Sequence, residues 1–288
     1  MTTYETPEPI SVTIDLGVGD VRIVASGRAD TVVDVRPSRI SKDSDVEAAE
    51  QTRIEFVDGR LLVKTPKSWK QYTPFGRDGR VDVTIELPIG SSLQGETGFG
   101  KFDSEGELGA CRIKTGYGNI RLDHTGALQA STGYGDIDIE HAAGSADVAT
   151  GSGEVRIREV EGAASIKNSN GDTRLGGVTG ALRVKAANGD ISVERSLSAV
   201  SAKTANGSVR IGDVVSGAIV VETACGDLEV GIREGTAAWL DASSQYGSVL
   251  NSLEASDAPG RPDKTAQIRA RTAYGDIVIR RSLDDRMA

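Results

Sequence analysis

The sequence predicts an all-β chain that folds as a single-stack parallel β-solenoid, and three observations support this fold class. A glycine returns every 17 to 19 residues between Gly100 and Gly226. Apolar and polar residues alternate on both sides of that glycine, which is typical of half-buried strands. Aromatic residues make up 4% of the chain and glycine contributes 35 of its 288 residues, which favours thin rungs over a thick core. The period therefore indicates stacked rungs of about 18 residues.

Each rung repeats the same kinds of side chain at the same distance from its glycine. The second and fourth residues after it are apolar, as in Ile137 and Ile139 after Gly135, and we expect them to point inward. A further inward residue is expected in the loop that joins rungs, at Val160, Val178, Leu197 and Val215. We call the repeated residues the anchor glycines: Gly100, Gly118, Gly135, Gly153, Gly171, Gly189, Gly207 and Gly226.

Residues 1–95 are predicted to form an N-terminal β cap with longer rungs, continuous with the solenoid. Gly19 and Gly59 carry the same motif, but 40 residues separate them and 41 more lead to Gly100. The additional residues are long enough for extra strands that would widen these rungs. The elements expected there are strands at 31–35 and 81–87, a short helix near 44–51 and a loop at 67–80.

Residues 96–288 are predicted to be the regular β-solenoid repeats. A long loop is expected near 252–266, and a final repeat follows at Thr272–Ile279. An internal rung covers both of its strand edges with neighbouring rungs. Stability is therefore expected to be collective, and the ends of the stack are expected to need caps.

Charge and hydropathy restrict the class of partner. A net charge of −9 disfavours nucleic acid, because affinity for that backbone comes mainly from cationic contacts with phosphates. The sequence has no apolar run of about 18 residues, so we expect no direct membrane insertion. The first residues lack the pattern of a secretory signal, and a cytoplasmic location is expected. Cys111 and Cys225 are expected to be ordinary buried or half-buried residues rather than a disulfide.

The residues directly before the anchor glycines predict two kinds of ladder. Asparagine side chains at equal positions of neighbouring rungs would bond to one another through their amides. Aromatic side chains at the same position would stack as rings. We interpret both ladders as structural. The asparagines are Asn170, Asn188 and Asn206, and the aromatic residues are Phe99, Tyr117 and Tyr134.

Four features of the chain together resemble one family. They are the strand end Ile85–Pro88, the repeated Thr-Gly-x-Gly phrase, the unit Lys167–Asp172 and the closing Tyr274–Ile277. On these features the whole chain resembles the bacterial β-strand-repeat proteins of unknown function that are commonly labelled putative adhesins. The resemblance implies a non-enzymatic β-solenoid and supplies no catalytic residues to carry over.

No metal site, cofactor site or catalytic residue is predicted, although His124 and His141 are candidate metal ligands. Both histidines lie six residues after an anchor glycine, beside Asp123 and Glu140, and should be neighbours on adjacent rungs. Two histidines with carboxylates are able to bind a transition metal, but an exposed loop does not hold such ligands in a fixed coordination geometry. The chain also has no Gly-x-Ser-x-Gly elbow, His-Glu-x-x-His motif or cysteine-pair site.

Two charged columns are the remaining binding candidates. Acidic residues follow several anchor glycines and would recruit a hard cation, but arginines two residues further along favour a solvated ionic lattice. Lys167, Arg183, Lys185 and Lys203 form a cationic stripe, which suits an acidic polymer or an anionic surface. Solvated lysines that protect strand edges are the alternative interpretation. The acids are Asp136, Glu154, Asp172 and Asp190, and the arginines are Arg121, Arg156, Arg174 and Arg210.

The sequence favours a non-enzymatic scaffold or protein-interaction module whose repeated outward columns meet a protein partner of unknown identity. The alternative is a carbohydrate-active solenoid enzyme or a polymer-binding protein, because long β-solenoids process polysaccharides with clustered carboxylates. Regular acid columns and the low aromatic content argue against that alternative. Self-association, end to end or face to face, is left open.

Overall fold

The computed structural model describes residues 1–66, 79–253 and 264–282. These residues form 26 β-strands and one short α-helix, so the predicted all-β class is confirmed. They belong to two compact units, Met1–Ala143 and Gly144–Ala288. The loops expected at 67–80 and near 252–266 fall largely outside the described residues.

The first unit contains one helix and twelve strands among its described residues. These are α1 (Asp43–Glu50), β1 (Thr2–Glu5), β2 (Ser11–Ser26), β3 (Asp30–Pro37), β4 (Arg53–Val57), β5 (Arg60–Lys64), β6 (Val81–Pro88), β7 (Ser92–Phe99), β8 (Phe102–Leu108), β9 (Cys111–Tyr117), β10 (Ile120–Thr125), β11 (Leu128–Tyr134) and β12 (Ile137–Ala142).

Each regular rung of this unit gives one strand to each of two faces, which we call A and B. On face A, β8, β10 and β12 are parallel neighbours, and on face B, β7, β9 and β11 are. Equal positions of successive rungs are paired, such as Ile120 with Ile137 and Thr115 with Thr132. The predicted parallel solenoid is therefore confirmed. The inward positions are filled by buried aliphatic side chains, as the alternation predicts.

The first repeat of the sequence lies inside the stack of the first unit. The long strand β2 contributes Ser11–Asp15 to face B, between β5 and β7, and Gly19–Ser26 to face A, beside β6 and β8. Strands β5 and β6 therefore form the outermost parallel rung of this unit. Antiparallel strands then continue both faces: β4 pairs with β5, β3 pairs with β6, and β1 pairs with β3. Helix α1, expected near 44–51, packs beside β3 and β6.

Two details of the predicted cap are wrong. Gly59, which carries the repeat motif in the sequence, lies in a hairpin turn instead, because Asp58 and Gly59 have φ angles of 50° and 71° and connect the antiparallel strands β4 and β5. Positive φ at both central residues is the signature of a type I′ hairpin turn. The strand expected at 31–35 lies in β3, which runs antiparallel to β6 instead of widening a parallel rung. Alternation predicts a strand but not its direction.

The second unit contains fourteen strands among its described residues. These are β13 (Ala146–Ser152), β14 (Val155–Val160), β15 (Ala164–Asn170), β16 (Thr173–Val178), β17 (Leu182–Asn188), β18 (Ile191–Ser196), β19 (Val200–Lys203), β20 (Val209–Val214), β21 (Gly217–Cys225), β22 (Leu228–Ile232), β23 (Thr236–Tyr246), β24 (Val249–Asn251), β25 (Lys264–Tyr274) and β26 (Ile277–Arg281).

All the strand pairs in the described part of this unit are parallel, but its last two rungs exchange places. Strand β25 lies between β21 and β23 on face B, and β26 lies between β22 and β24 on face A. The repeat at Thr272–Ile279 is therefore last in sequence but not last in the stack. We call β23 and β24 the end rung, because each pairs with one strand only in the described chain.

One predicted core position is wrong. Val160 and Val178 are buried as the last residues of β14 and β16, and Val215 is buried directly after β20, whereas Leu197 is 40% exposed. Its neighbour Ser196 is fully buried instead, in register with Val178 on β16. A shift of one residue along an extended strand moves a side chain from one face to the other. The core therefore receives a serine in this rung.

Candidate functional site

The anchor glycines lie at a corner where the backbones of successive rungs are in close contact. Gly118 and Gly189 have φ angles of 147° and 128°, a region that side chains disfavour. A Cβ on Gly189 would lie 2.2 Å from the carbonyl oxygen of Gly171, and one on Gly118 would lie 2.0 Å from that of Gly100. Conformation and packing both exclude a side chain here, so the glycine repeat is a structural requirement.

The threonine of the Thr-Gly-x-Gly phrase connects its rung to the preceding one. The buried hydroxyl of Thr132 donates to the carbonyl oxygen of Gly118 at 3.0 Å. Thr223 makes the equivalent bond to Gly207 at 2.9 Å. In each case the acceptor is the anchor glycine one rung earlier. These hydroxyls are therefore used within the fold.

Asn168 replaces the threonine in one rung and satisfies two anchor glycines. Its amide nitrogen donates to the carbonyl oxygen of Gly153 at 3.1 Å and to that of Gly171 at 2.8 Å. The register partner of Asn168 in the next rung is Ala186, which has no hydroxyl to offer. The longer asparagine thus supplies the bond that the alanine cannot make to Gly171.

The acidic column after the anchor glycines binds backbone amides. A carboxylate oxygen of Asp172 accepts the N–H of Asp190 at 3.0 Å, and Asp190 accepts the N–H of Ser208 at 2.8 Å. The amide and hydroxyl of Ser248 bond to Asp276 in the same way and hold the pKa of that carboxyl below its usual value. At these positions one carboxylate oxygen is therefore committed to the amide of the next rung.

Arginines on face A neutralise other oxygens of this column. Arg174 lies 3.0 Å from Asp172, and Arg156 lies 2.8 Å from Glu154. A shallow groove of about 370 Å³ follows the corner, with Asp190 and Arg210 in its lining. In the described parts of the chain, no three His, Cys, Asp or Glu side chains are grouped to hold a metal ion. Glu154 and Asp172 of this column are thus paired with arginines.

Both expected ladders are present in the structure. The ring of Tyr117 stacks on Phe99 and on Tyr134 at centroid distances of 4.8 Å, with all three rings about half exposed. The amide of Asn188 donates to Asn170 at 2.9 Å, and Asn206 donates to Asn188 at the same distance. Because neighbouring rings cover both faces of Tyr117, this ladder offers no platform there for stacking a sugar ring.

The two candidate metal ligands are brought together but have no fixed coordination geometry. His124 and His141 are register partners on β10 and β12, and their ring centroids are 5.4 Å apart with the rings tilted by 48°. Nδ1 of His124 lies 2.7 Å from a carboxylate oxygen of Asp123. The His124 side chain is 52% exposed. Metal binding by His124 and His141 therefore stays a prediction, and the Asp123 carboxylate is already bonded to the His124 ring.

The cationic stripe is continuous on face B of the second unit. Lys167, Lys185 and Lys203 are register partners on adjacent strands, and Arg183 lies two residues before Lys185 on the same outward side of β17. Lys167, Arg183 and Lys185 are exposed. Lys203 pairs with Glu222 at 2.6 Å, so an acid follows the stripe on the next strand. Successive lysines are thus about 4.8 Å apart along the stack.

Comparison with known families is decisive for the affiliation of this repeat. The sequence profile of the Toastrack DUF4097 family matches residues 10–212, which include most of the anchor glycines. The chain belongs to the Toastrack family. The resemblance on which the sequence analysis relied is therefore confirmed, and the family designation itself specifies no activity. No curated protein sequence matches this Toastrack chain.

Several solved bacterial structures are similar to this Toastrack protein. A putative adhesin from Parabacteroides merdae is 12% identical over 96% of this chain and 94% of its own, with a TM-score of 0.33. A putative lipid binding protein from Parabacteroides distasonis is 15% identical over 96% and 95%, with a TM-score of 0.34. A putative cell adhesion protein from Clostridium sporogenes is 12% identical over 97% and 98%, with a TM-score of 0.23. At these values the likenesses carry no functional argument.

The two cysteines of the Toastrack chain differ in environment. Cys111 is buried, and burial raises the pKa of its thiol to about 12, so it stays protonated and unreactive. Cys225 is exposed, contrary to the expectation that both would be buried or half-buried. It occupies the ladder column, where it pairs with Tyr274 of β25. Side chains of that column point outward, which explains why Cys225 is exposed.

Sequence reasoning missed the end rung. Trp239, Tyr246 and Leu250 are 61%, 59% and 57% exposed there. The signal that was available is composition, because β23 contains one charged residue in eleven positions. Within the described chain, no helix has the length and apolar character needed to cross a membrane.

Proposed function

We propose that this Toastrack chain is a non-enzymatic β-solenoid scaffold that binds a protein partner through the cationic stripe on face B. The partner's contact is an extended acidic segment that runs along the stack and meets Lys167, Arg183 and Lys185. The observation that carries the proposal is the register of the two lysines on β15 and β17, with both side chains exposed on the same side.

The repeat supports a binding role because its other chemical groups are used internally. The threonine hydroxyls bond to the anchor glycines, and carboxylates of the acidic column accept amides of neighbouring rungs. A glycoside hydrolase needs one carboxyl group to donate a proton and a second to act on the sugar or on water. In the acidic column, carboxylates accept backbone amides and pair with arginines, and these contacts occupy the oxygens that the two catalytic roles would need. The exposed cations therefore support recognition better than catalysis.

A quantitative affinity capture tests the stripe. The variant Lys167→Ala/Lys185→Ala places alanine where Ala149 already stands in register with Lys167, so the fold is preserved. The wild-type chain and the variant are immobilised, exposed to lysate of the native host and analysed by mass spectrometry. We expect one reproducible protein whose recovery falls about tenfold in the variant, since two exposed charge pairs at about 0.7 kcal/mol each together give about 1.4 kcal/mol.

The matched control removes the same charge from face A. Arg174→Ser/Arg210→Ser copies Ser192, which lies between these arginines in register. Capture by this control should equal that by the wild type. Equal capture by all three chains would contradict the role of the stripe. Cleavage of a polysaccharide by the purified wild-type chain, with no captured protein, would establish the enzyme alternative instead.

A further inference from the structure

The end rung of the second unit has strand edges that lack a partner in the described chain. Strand β23 pairs with β25 and strand β24 pairs with β26, and neither has another recorded neighbour. Alternate residues of β23, which has eleven, and of β24, which has three, therefore present backbone N–H and C=O groups outward. Such an edge is a template for a further strand.

The hydrophobic core is open at the same rung. Ile268 and Ile277 of the inner rung are fully buried. Their register partners in the end rung are Leu240, which is half-buried, and Val249, which is 45% exposed. The inward columns thus end on apolar side chains that a further layer would cover. Removal of this apolar area from water contributes about 25 cal/mol per Å² to association, against which the entropy lost on association counts.

Charge does not protect these edges. Asp241 is the one Asp, Glu, Lys or Arg among residues Thr236–Asn251, and Arg271 of β25 donates a hydrogen bond to it at 2.6 Å. Natural edge strands usually carry lysines or other charges that repel a second strand. Although the whole chain has a net charge of −9, two copies of this rung meet without repulsion between unpaired charges on β23 and β24.

The shape of the rung identifies its occupant. A matching layer must offer two strand edges, one for each face, on either side of an apolar core. A second copy of this chain offers that arrangement when it is turned about a two-fold axis perpendicular to both faces. The axis pairs β23 with β23 of the copy and β24 with β24, antiparallel in each case. Such an isologous interface is closed, so it stops at two copies.

We propose that the chain forms an end-to-end homodimer in which β23 and β24 pair with the same strands of a second copy. This inference goes beyond the proposed function, because it concerns the end rung and a copy of the chain rather than the stripe and a different protein. A failed stripe experiment would leave the dimer proposal standing. A failed dimer experiment would leave the proposed role of the stripe standing.

The oligomeric state of the full chain tests the dimer. Sedimentation is measured over a range of protein concentrations with a reductant present, so that the exposed Cys225 forms no disulfide. We expect a reversible dimer in the wild type. The variant Trp239→Lys/Val249→Lys adds charge to the end rung and should weaken dimerisation at least about tenfold. Leu197→Lys, at a leucine that is 40% exposed in the same unit, is the matched control and should leave dimerisation unchanged.

Hydrogen exchange in the wild type gives a second readout that does not depend on how the variants fold. Amides of β23 should exchange more slowly at high protein concentration, while those of β17 should not change. A chain that stays monomeric at every concentration overturns the proposal, and so does a dimer that Trp239→Lys/Val249→Lys does not weaken. Protection of β23 that is independent of concentration would show that another part of the same chain covers the end rung, which also overturns it.

Discussion

The outermost rung of the first unit and the end rung of the second unit differ in how their open strand edges are covered. In both, the chain places a rung out of sequence order: β2 lies inside β5 and β6, and β25 and β26 lie inside β23 and β24. The first unit then adds antiparallel strands and helix α1. The described chain adds no such layer to the end rung.

The edge strands themselves show the consequence of this difference. In the first unit the last strands are short, since β1 has four residues and β4 has five, with Arg53 and Glu55 among them. In the second unit β23 has eleven residues and one charge. Short or charged edges resist pairing with another strand, whereas long neutral ones invite it. One unit is thus closed by its own chain, and the other retains a surface for association.

The largest effect is expected from an alanine at an anchor glycine inside the second unit. Gly189→Ala places a Cβ 2.2 Å from the carbonyl oxygen of Gly171 at a φ of 128°. Strain and displacement of two paired rungs should lower the free energy of unfolding by about 3 kcal/mol or more. Urea unfolding at equilibrium measures it. Gly177→Ala is the control, because its nearest neighbour is a Glu159 side-chain atom 3.9 Å away, and it should change stability little.

The same substitution in the end rung tests whether that rung yields more easily than an inner one. A Cβ on Gly247 would lie 2.0 Å from the carbonyl oxygen of Gly275. In the monomer the described end rung is paired on one side only, so it is able to shift away from the clash, and Gly247→Ala should lower the free energy of unfolding of the monomer by about 1–2 kcal/mol. A loss as large as that of Gly189→Ala would contradict the view that this rung is the softer one.

The next effect is expected in the cap of the first unit. Asp45 of α1 is fully buried and accepts the N–H of Arg80 at 3.0 Å, while Lys42 and Arg39 lie 3.0 Å and 3.1 Å from its oxygens. Asp45→Asn keeps an acceptor for the amide but removes the charge that binds both cations. It should lower the free energy of unfolding by about 1–3 kcal/mol at pH 7. Asp43→Asn, exposed on the same helix, is the control.

The pH dependence of stability follows from the pKa of Asp45. Burial alone would raise this pKa, but the amide of Arg80 and the charges of Lys42 and Arg39 outweigh it and lower the value from 3.8 to about 2. A lowered pKa contributes stability above the unfolded value, and that contribution is lost as pH falls from about 4 to 2. Acid unfolding of Asp45→Asn should lack this component. An unchanged acid profile would show that Asp45 does not hold the cap.

The sequence predicted the rungs better than their order. Period-two alternation and a recurring glycine are local signals, so the inward positions around Gly135 were predictable residue by residue. The insertion of β25 between β21 and β23 depends on which edges meet in space, and no local pattern reports it. Leu197 shows the same limit within one rung, because the inward position in register with Val178 is held by Ser196, and the apolar residue next to it was the expected core position. The outward stripe on β15 and β17 was predictable because it follows the rung spacing.

The smallest effect is expected from the ion pair that joins the end rung to its neighbour. The guanidinium of Arg271 bonds to Asp241 across β23 and β25 and lowers the pKa of that carboxyl below its usual value. Asp241→Asn should leave global unfolding nearly unchanged and accelerate hydrogen exchange of the β23 amides. Glu229→Gln is the control, since Glu229 bonds to Arg280 at 2.8 Å across β22 and β26, and each of those strands has a neighbour on both sides. Equal acceleration in β22 and β23 would mean that end and inner rungs open alike, and it would remove the physical basis for treating the end rung as a separate, more mobile surface.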